Sequence, residues 1–267
     1  MKTSIQVYNK LKQKVTFLYE KLNLISLEKT KGRKLLIPIP EILALGLFRA
    51  RQNIASKKSL AEIFNLQKHY KTLVVNLNRF ATTIALILSV LVRTNRKDTH
   101  LIKHTDATDI PVCLNKNAKN HKTMRVLASW GKTGKGWFYG LKLHITTDLK
   151  KKLLAFKFSS GSTSDRSIFL KLNENLMGLF IADAGYLGEK LARDFYIEHQ
   201  RMLLTKVRAN MKKLATPMHI LLYETRMIIE WNFRCLKMSY GLVTSLPRSL
   251  NGYLAHYLYS LTAFVLG

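Results

Sequence analysis

The spacing of apolar residues changes near residue 100, and that change restricts the chain to folds that join a helical segment to a mixed α/β one. Before it, Val7, Leu11, Val15, Leu18 and Leu22 recur every three or four residues, which lays one apolar stripe along a helix. Pro38 and Pro40 punctuate the chain, and a second helix is predicted from Glu41 to Arg51. Ser59-Leu60-Ala61-Glu62 has the form of a capping box, with Ser59 as N-cap. A short helix from there, a break near Asn65 and a longer helix from about His69 suit a helix-turn-helix and a plain helical bundle equally well. The apolar run Ala81 to Val92 falls short of the roughly 20 residues that span a bilayer, so it is predicted to be a buried helix. Arg93 to Lys97 is polar and basic, a natural boundary.

After residue 100 the period becomes two. Leu141, Leu143 and Ile145 alternate with Lys142, His144 and Thr146, as on a half-buried strand, and Phe156 and Phe158 flank Lys157 in the same way. Leu101 to Thr105, Leu179 to Ala182 and Met202 to Thr205 read as further strands. Ser164 to Leu176 and Leu187 to His199 read as helices, the latter with Leu187, Leu191 and Phe195 on one face. A strand, a hairpin and then alternating helices and strands give a mixed sheet covered by helices. The chain thus divides into a helical domain, residues 1–98, and an α/β domain, residues 99–267.

Charge narrows the class of partner. Forty-four Lys and Arg face sixteen Asp and Glu, for a formal net charge of +28. That much positive charge repels itself unless a polyanion neutralises it, and nucleic acid is the expected one. A composition of 47% hydrophobic and 22% charged residues excludes a disordered chain. Cys113 and Cys235 form no CxxC and no zinc pattern; their number allows one disulfide, and two reduced thiols are the simpler expectation. The first residues lack the apolar stretch of a secretory signal, so an intracellular, soluble protein with no membrane partner is expected.

With acids so scarce, their settings matter. Asp183 follows the apolar strand Leu179 to Ala182 and precedes Ala184-Gly185-Tyr186, the position where open sheets present their sites. Asp106 is expected to close the strand Leu101 to Thr105 in a similar manner. Taken alone, either aspartate is more commonly a cap or a turn former. One helix is predicted through Tyr223, Arg226, Glu230 and Lys237, which fall within an arc of roughly 60°. Met227, Ile228, Trp231 and Cys235 are expected on its core face. An isolated Arg226–Glu230 pair at this spacing is worth only about 0.3–0.5 kcal/mol.

The spacing Y-x2-R-x3-E-x6-K resembles the signature of the insertion-sequence 4 superfamily of bacterial DDE transposases. Asp106-Ala107-Thr108-Asp109-Ile110-Pro111-Val112-Cys113 resembles the D-S-x-P-L-P-V-C segment of the insertion-sequence 982 family. The stretch from Gly136 to His144 is similar to that family's G-W-F-x-G-F-K-L-H strand, and Asp183 to Tyr186 to its D-K-G-Y, with Ala184 in place of the lysine. Residues 204–212 resemble its L-T-K-x-R-x-N-M-K. Together these cover about residues 100–267 in order. The resemblance implies a ribonuclease H-like fold in which Asp106, Asp183 and Glu230 are the catalytic, metal-binding carboxylates. It implies a helical DNA-end-binding domain before residue 99, and no large insertion between Asp183 and Glu230.

The implied activity is metal-dependent cleavage of DNA at the ends of a mobile element, followed by strand transfer into target DNA. The expected cofactor is Mg²⁺, two ions, with Mn²⁺ as a substitute; Asp106 bridges both, Asp183 holds one and Glu230 the other. The partners implied are double-stranded DNA, as terminal inverted repeats and as target, and a second copy of the chain, a homodimer on DNA. Tyr223, Arg226 and Lys237 are expected to contact DNA near the scissile phosphate. Lys122, Arg125, Lys132 and Lys135, with Lys116 and Lys119, are expected on a flexible, glycine-containing basic loop that is either a DNA-backbone contact or an ordinary solvated loop. His104 and His144 are expected near Asp106 as packed rather than catalytic side chains, Asp165 as a helix-start acid and Asp109 as a turn former. The competing readings are a related metal-dependent nuclease and a catalytically decayed, DNA-binding copy. The expected setting is the bacterial cytoplasm, beside the nucleoid.

Overall fold

The computed structural model describes residues 4–27, 35–207 and 215–267. They fall into two compact units, Met1–Leu91 with Cys235–Gly267, and Val92–Arg234. The segment 99–267 therefore contributes to both units, its last residues joining the N-terminal helices.

The first unit is helical. It contains α1 (Ser4–Lys21), α2 (Ile39–Arg51), α3 (Lys57–Ile63), α4 (Tyr70–Arg79) and the first part of α5 (Ala81–Lys97). The apolar stripe of α1 (Leu11 and Val15, with Tyr8) packs in one core with Ile42 and Phe48 of α2 and with Tyr259 and Ala263 of the C-terminal helix, Leu250–Leu266. Gly46 sits where that helix comes closest, and a Cβ there would lie 2.4 Å from the Tyr259 ring. The helix α2 starts two residues before Glu41, at Ile39, with Pro40 in its first turn, where a missing N–H costs nothing. The capping register at α3 differs from expectation. Ser56, not Ser59, is the N-cap, and its hydroxyl accepts from the Ser59 amide at 2.9 Å. Ser59 sits in the first turn because Ser56-x-x-Ser59 offers the same capping spacing three residues earlier. Asn65, left-handed at φ 53°, then breaks the chain before α4.

A buried polar pair closes this unit. Arg49 donates to the carbonyls of Ile54 and Ala55 and to Nδ1 of His256, whose Nε2 donates to the Gly241 carbonyl at 2.6 Å. Burial first, and the Arg49 charge second, push the His256 pKa down to about 3, so the ring is neutral. No single described helix is long and apolar enough to cross a membrane; α4 and α5 reach that threshold only when joined across a 46° bend. Leu73, Leu77, Ile84 and Ile87 of that pair lie in the core.

The second unit is a six-stranded mixed sheet with helices. Its strands are β1 (Ile102–Pro111), β2 (Ser129–Thr133), β3 (Gly136–Asp148), β4 (Leu153–Ser160), β5 (Leu179–Ala182) and β6 (Met202–Thr205). The helices are α6 (Asp165–Leu172), α7 (Glu189–His199), α8 (Pro217–Glu224) and the start of α9 (Met227–Met238); the C-terminal helix is α10. The path β4-β3-β1-β5-β6 is antiparallel on its first side and parallel on its second, and β2 pairs with the other half of β3's outer edge. This is a ribonuclease H-like sheet. Phe169 of α6, Phe180 of β5, Phe195 of α7 and Tyr186 form an aromatic core beneath it.

Three expectations are corrected here. The first strand does not end at Thr105 but runs on to Pro111, because β3 continues to pair with it from Lys103 to Pro111. The β3 strand is buried at nearly every position, and two of its polar side chains find partners there: Thr146 donates to Asn173 at 2.6 Å and His144 bonds to Ser159 at 2.8 Å. The basic connection is not one flexible loop. It holds a 3₁₀ turn at Asn115–Asn120 and then the β2–β3 hairpin, which carries Lys132 on β2 and Lys135 in the turn. The hairpin needs glycine at Gly140, where a Cβ would lie 2.1 Å from the Ile110 carbonyl oxygen. Cys113 and Cys235 are free thiols.

Candidate active site

Parallel pairing between β1 and β5 ends at Thr105 opposite Ala182, and the next residue on each is an aspartate. Asp106 and Asp183 therefore emerge together at the carboxyl end of the parallel pair, Asp106 within a strand that continues and Asp183 at the end of one. Each carboxylate accepts from the amide that follows it, from Ala107 at 2.8 Å and from Ala184 at 2.7 Å. At Asp106 that bond takes Oδ1 and leaves Oδ2 to face a partner, whereas at Asp183 the amide and the partner share Oδ1.

The partner is supplied by the α8–α9 junction. The predicted single helix from Tyr223 to Lys237 is interrupted at Thr225–Arg226, where the amides of Thr225 and Arg226 reach back only three residues, to Leu222 and Tyr223. The Thr225 side chain sits at the interruption and bonds on both sides of it. Its hydroxyl donates to the Leu222 carbonyl at 2.6 Å, so its oxygen is left to accept from Nε2 of His104 at 2.8 Å. His104 is fully buried two residues before Asp106, and burial lowers its pKa to about 4, with the charge on Arg226 contributing. The neutral ring thus carries its proton on Nε2 and anchors the junction to β1.

From that junction Arg226 forks between two acids. Its Nη2 donates to Asp106 Oδ2 at 2.7 Å, and its Nη1 donates to Glu230, in the first turn of α9. Tyr223, at the end of α8, points its hydroxyl at Asp183 Oδ1 at 3.4 Å. Asp106 is 16% exposed and Glu230 58% exposed. Burial raises the Asp106 pKa to about 6; Arg226 and the Ala107 amide oppose the rise, while Asp183 and Asp165 add to it. Burial works against the Arg226 guanidinium too, yet the charges of Asp106 and Asp183 outweigh it and hold it above its usual value.

Among the described residues no three His, Cys, Asp or Glu side chains converge on one point as ready ligands. Arg226 instead links Asp106 to Glu230, and Tyr223 reaches Asp183. The donor chemistry nevertheless fits a hard divalent cation, since every candidate ligand atom is a carboxylate oxygen. Arg226 also demonstrates that the space between Asp106 and Glu230 accepts positive charge.

Other residues occupy less central places. Lys237 lies in the last turn of α9, within the other compact unit. Lys122, Arg125, Lys132 and Lys135 are exposed on the turn before β2 and on the hairpin, away from the carboxylates along β3. Asp109 is inside β1 opposite Lys142, not in a turn. Asp165 opens α6 as expected and pairs with Lys142 at 3.0 Å. The core face of α9 is Ile229, Asn232, Phe233 and Leu236; Met227 and Trp231 are exposed, and Trp231 is capped by Lys151 with its Nζ 3.9 Å from the ring centroid. Residues 208–212 of the last motif lie outside the described residues. Sequence reasoning assigns no role to Thr225 or, beyond its place in the D-x-G-Y motif, to Tyr186; Tyr186 is buried beside Asp106, Asp165 and Asp183 with its hydroxyl unpartnered.

Residues 96–248 match the family described as the transposase DDE domain. The chain belongs to that family. It is an enzyme of the DDE transposase class, and Asp106, Asp183 and Glu230 all lie inside the matched segment. Among solved structures, the piggyBac transposase synaptic complex with hairpin DNA is similar over 98% of this chain and 73% of its own, at a TM-score of 0.53 and 10% identity. A Mos1 mariner paired-end complex with Mn is similar over 92% of this chain and 82% of its own, at a TM-score of 0.27 and 13% identity. No curated protein matches the chain in sequence.

Proposed function

We propose that this DDE transposase serves a bacterial insertion sequence akin to the 982 family, cutting DNA at the element's terminal inverted repeats and joining the freed end to target DNA. The observation that carries the reading is the emergence of Asp106 and Asp183 side by side after the last paired residues of β1 and β5, with Glu230 joined to Asp106 through Arg226. Asp106, Asp183 and Glu230 would hold divalent ions, two Mg²⁺ or Mn²⁺ in their place. Such ions stabilise charge on the attacking and leaving oxygens of an in-line displacement.

The chain's own residues do the rest. Arg226, released from Asp106 and Glu230, turns its fork to the non-bridging oxygens of the phosphate, a geometry suited to guanidinium. Tyr223 and Lys237 hold the flanking backbone. In cleavage, a water oxygen bonds to phosphorus as the bond to the 3′ oxygen breaks, and that oxygen leaves as a hydroxyl. In strand transfer, the same hydroxyl attacks a target phosphodiester and displaces its 3′ oxygen. The helical segment 1–98 would grip the element end. Support for this comes from α3, the left-handed Asn65, the 3₁₀ turn Gln67–His69 and α4, where Lys68, His69 and Lys71 are exposed. Two copies on DNA in the bacterial cytoplasm would process two ends together.

The test is cleavage of a duplex bearing the terminal repeat in Mg²⁺ or Mn²⁺. Asp106→Asn, Asp183→Asn and Glu230→Gln should each lower the rate by about a hundredfold or more while duplex binding persists. Cleavage at the wild-type rate by any of the three would remove that residue from the site.

A further inference from the structure

The β2–β3 hairpin carries a surface that the carboxylate site does not use. Its register sets Trp130 opposite Tyr139 and Lys132 opposite Trp137. Residues two apart on a strand share a face, so these four side chains form one patch. Trp137 is 60% exposed and Trp130 43% exposed, while Tyr139 is buried beneath them. The Trp130 and Tyr139 rings meet edge to face at 5.7 Å, and the Lys132 Nζ stands 5.7 Å from the Trp137 ring centroid. Asn115 donates to the Trp137 carbonyl at 2.8 Å, tying the preceding turn to the hairpin. Two large indoles are thus held out in solvent on a supported backbone, at a cost in apolar exposure that folding alone does not explain.

Charge identifies the partner. From Ile110 to Thr147 the chain has seven Lys and Arg and no Asp or Glu. An apolar protein surface would not call for that imbalance, whereas flat aromatics set among cations match a stacked base beside its phosphates. The patch is also remote from the reacting phosphate. Trp137 lies eight residues along β3 from Ile145, the partner of Asp106, or about 26 Å of extended strand.

We infer that this hairpin is a stacking platform for an unpaired base of the bound DNA, with Trp137 as the principal stacking face, Trp130 beside it and Lys132 on the adjoining phosphate. It recognises distorted or opened duplex away from the cleavage point. This inference rests on the DNA-binding reading above, and the two are separable by experiment.

The probe is a pair of duplexes of equal length, one fully paired and one with a single unpaired fluorescent adenine analogue. The protein should bind the second about five- to a hundredfold more tightly, and the analogue's emission should be quenched on binding. Trp137→Ala should abolish both the preference and the quenching and leave affinity for the paired duplex unchanged. Trp137→Phe should retain most of the preference, which guards against a folding defect in the alanine variant. Lys132→Gln should weaken both duplexes alike and flatten the salt dependence. Equal wild-type affinity for the two duplexes would sink the platform while leaving duplex binding and cleavage standing; loss of all DNA binding would sink both readings. A self-association without DNA that Trp137→Ala removes would assign the face to a second copy instead.

Discussion

Asp106 is a carboxylate kept where charge is costly. Burial lifts its pKa to about 6, and the guanidinium of Arg226 is the strongest influence holding it down. As pH falls through about 6, metal-free Asp106 takes up a proton and loses its capacity to hold a cation, so at subsaturating metal the cleavage rate is expected to decline with an inflection near that value. Arg226→Gln removes the charge that favours the ionised form, and the inflection should move to higher pH as well as the rate falling. A pH profile of kcat/KM for both proteins checks this, and an inflection that stays put would free Asp106 from the influence of Arg226. Stability follows the opposite sign. The folded pKa lies above the unfolded value, so the native state binds more protons between about 4 and 6, and acidification through that window favours the fold at this one group.

At the scale of elements, the break between α8 and α9 aims Tyr223 and Arg226, and Thr225 within it is held by the hydrogen bond from His104 of β1. His104→Ala should leave Thr225 untethered and lower kcat by about tenfold, the equivalent of one buried hydrogen bond, with KM for DNA little changed. His104→Gln, which keeps an N–H donor, should recover much of the loss; a Gln variant as impaired as Ala would make the contact incidental. The same junction explains what was legible beforehand. The strands β5 and β6 appear at their predicted limits, because short apolar runs bounded by turn residues are local signals. Asp183 at a strand end was legible for the same reason. The continuation of β1 past Asp106 depends on pairing with β3, tens of residues away in the chain. The Thr225 hydroxyl at the interruption meets a histidine 121 residues earlier. Neither leaves a mark in a helical or strand period. Trp231 was misread for a related reason: it looks like core by spacing, while the fold leaves it exposed with Lys151 stacked on it.

Across the whole molecule, neutral histidines are buried in both units. His104 and His144 are held at about 4 and His256 at about 3, by burial in each case. The unfolded chain takes up these protons near pH 6.5, while the native state resists until pH 4 or below. Stability is therefore lost as pH falls below 6.5, by about 1.4 kcal/mol per histidine per pH unit at the steepest. Three such groups outweigh the opposite contribution of Asp106, so the urea midpoint should drop steadily from pH 7 to pH 4. His256→Gln, which cannot take up the proton, should flatten that slope, and a midpoint independent of pH would contradict the burial of these rings in neutral form. The division of the first unit has a consequence for synthesis. Its core needs Tyr259 and Ala263 of α10 against α2, yet some 200 residues separate Arg51 from Leu250. At about 5–20 residues per second, a ribosome takes roughly 10–40 s to cover that stretch. Throughout that interval the nascent helices display an unfilled seam to chaperones and proteases. A polypeptide ending after Glu230 would carry all three acids and still lack the α10 side chains that close this seam.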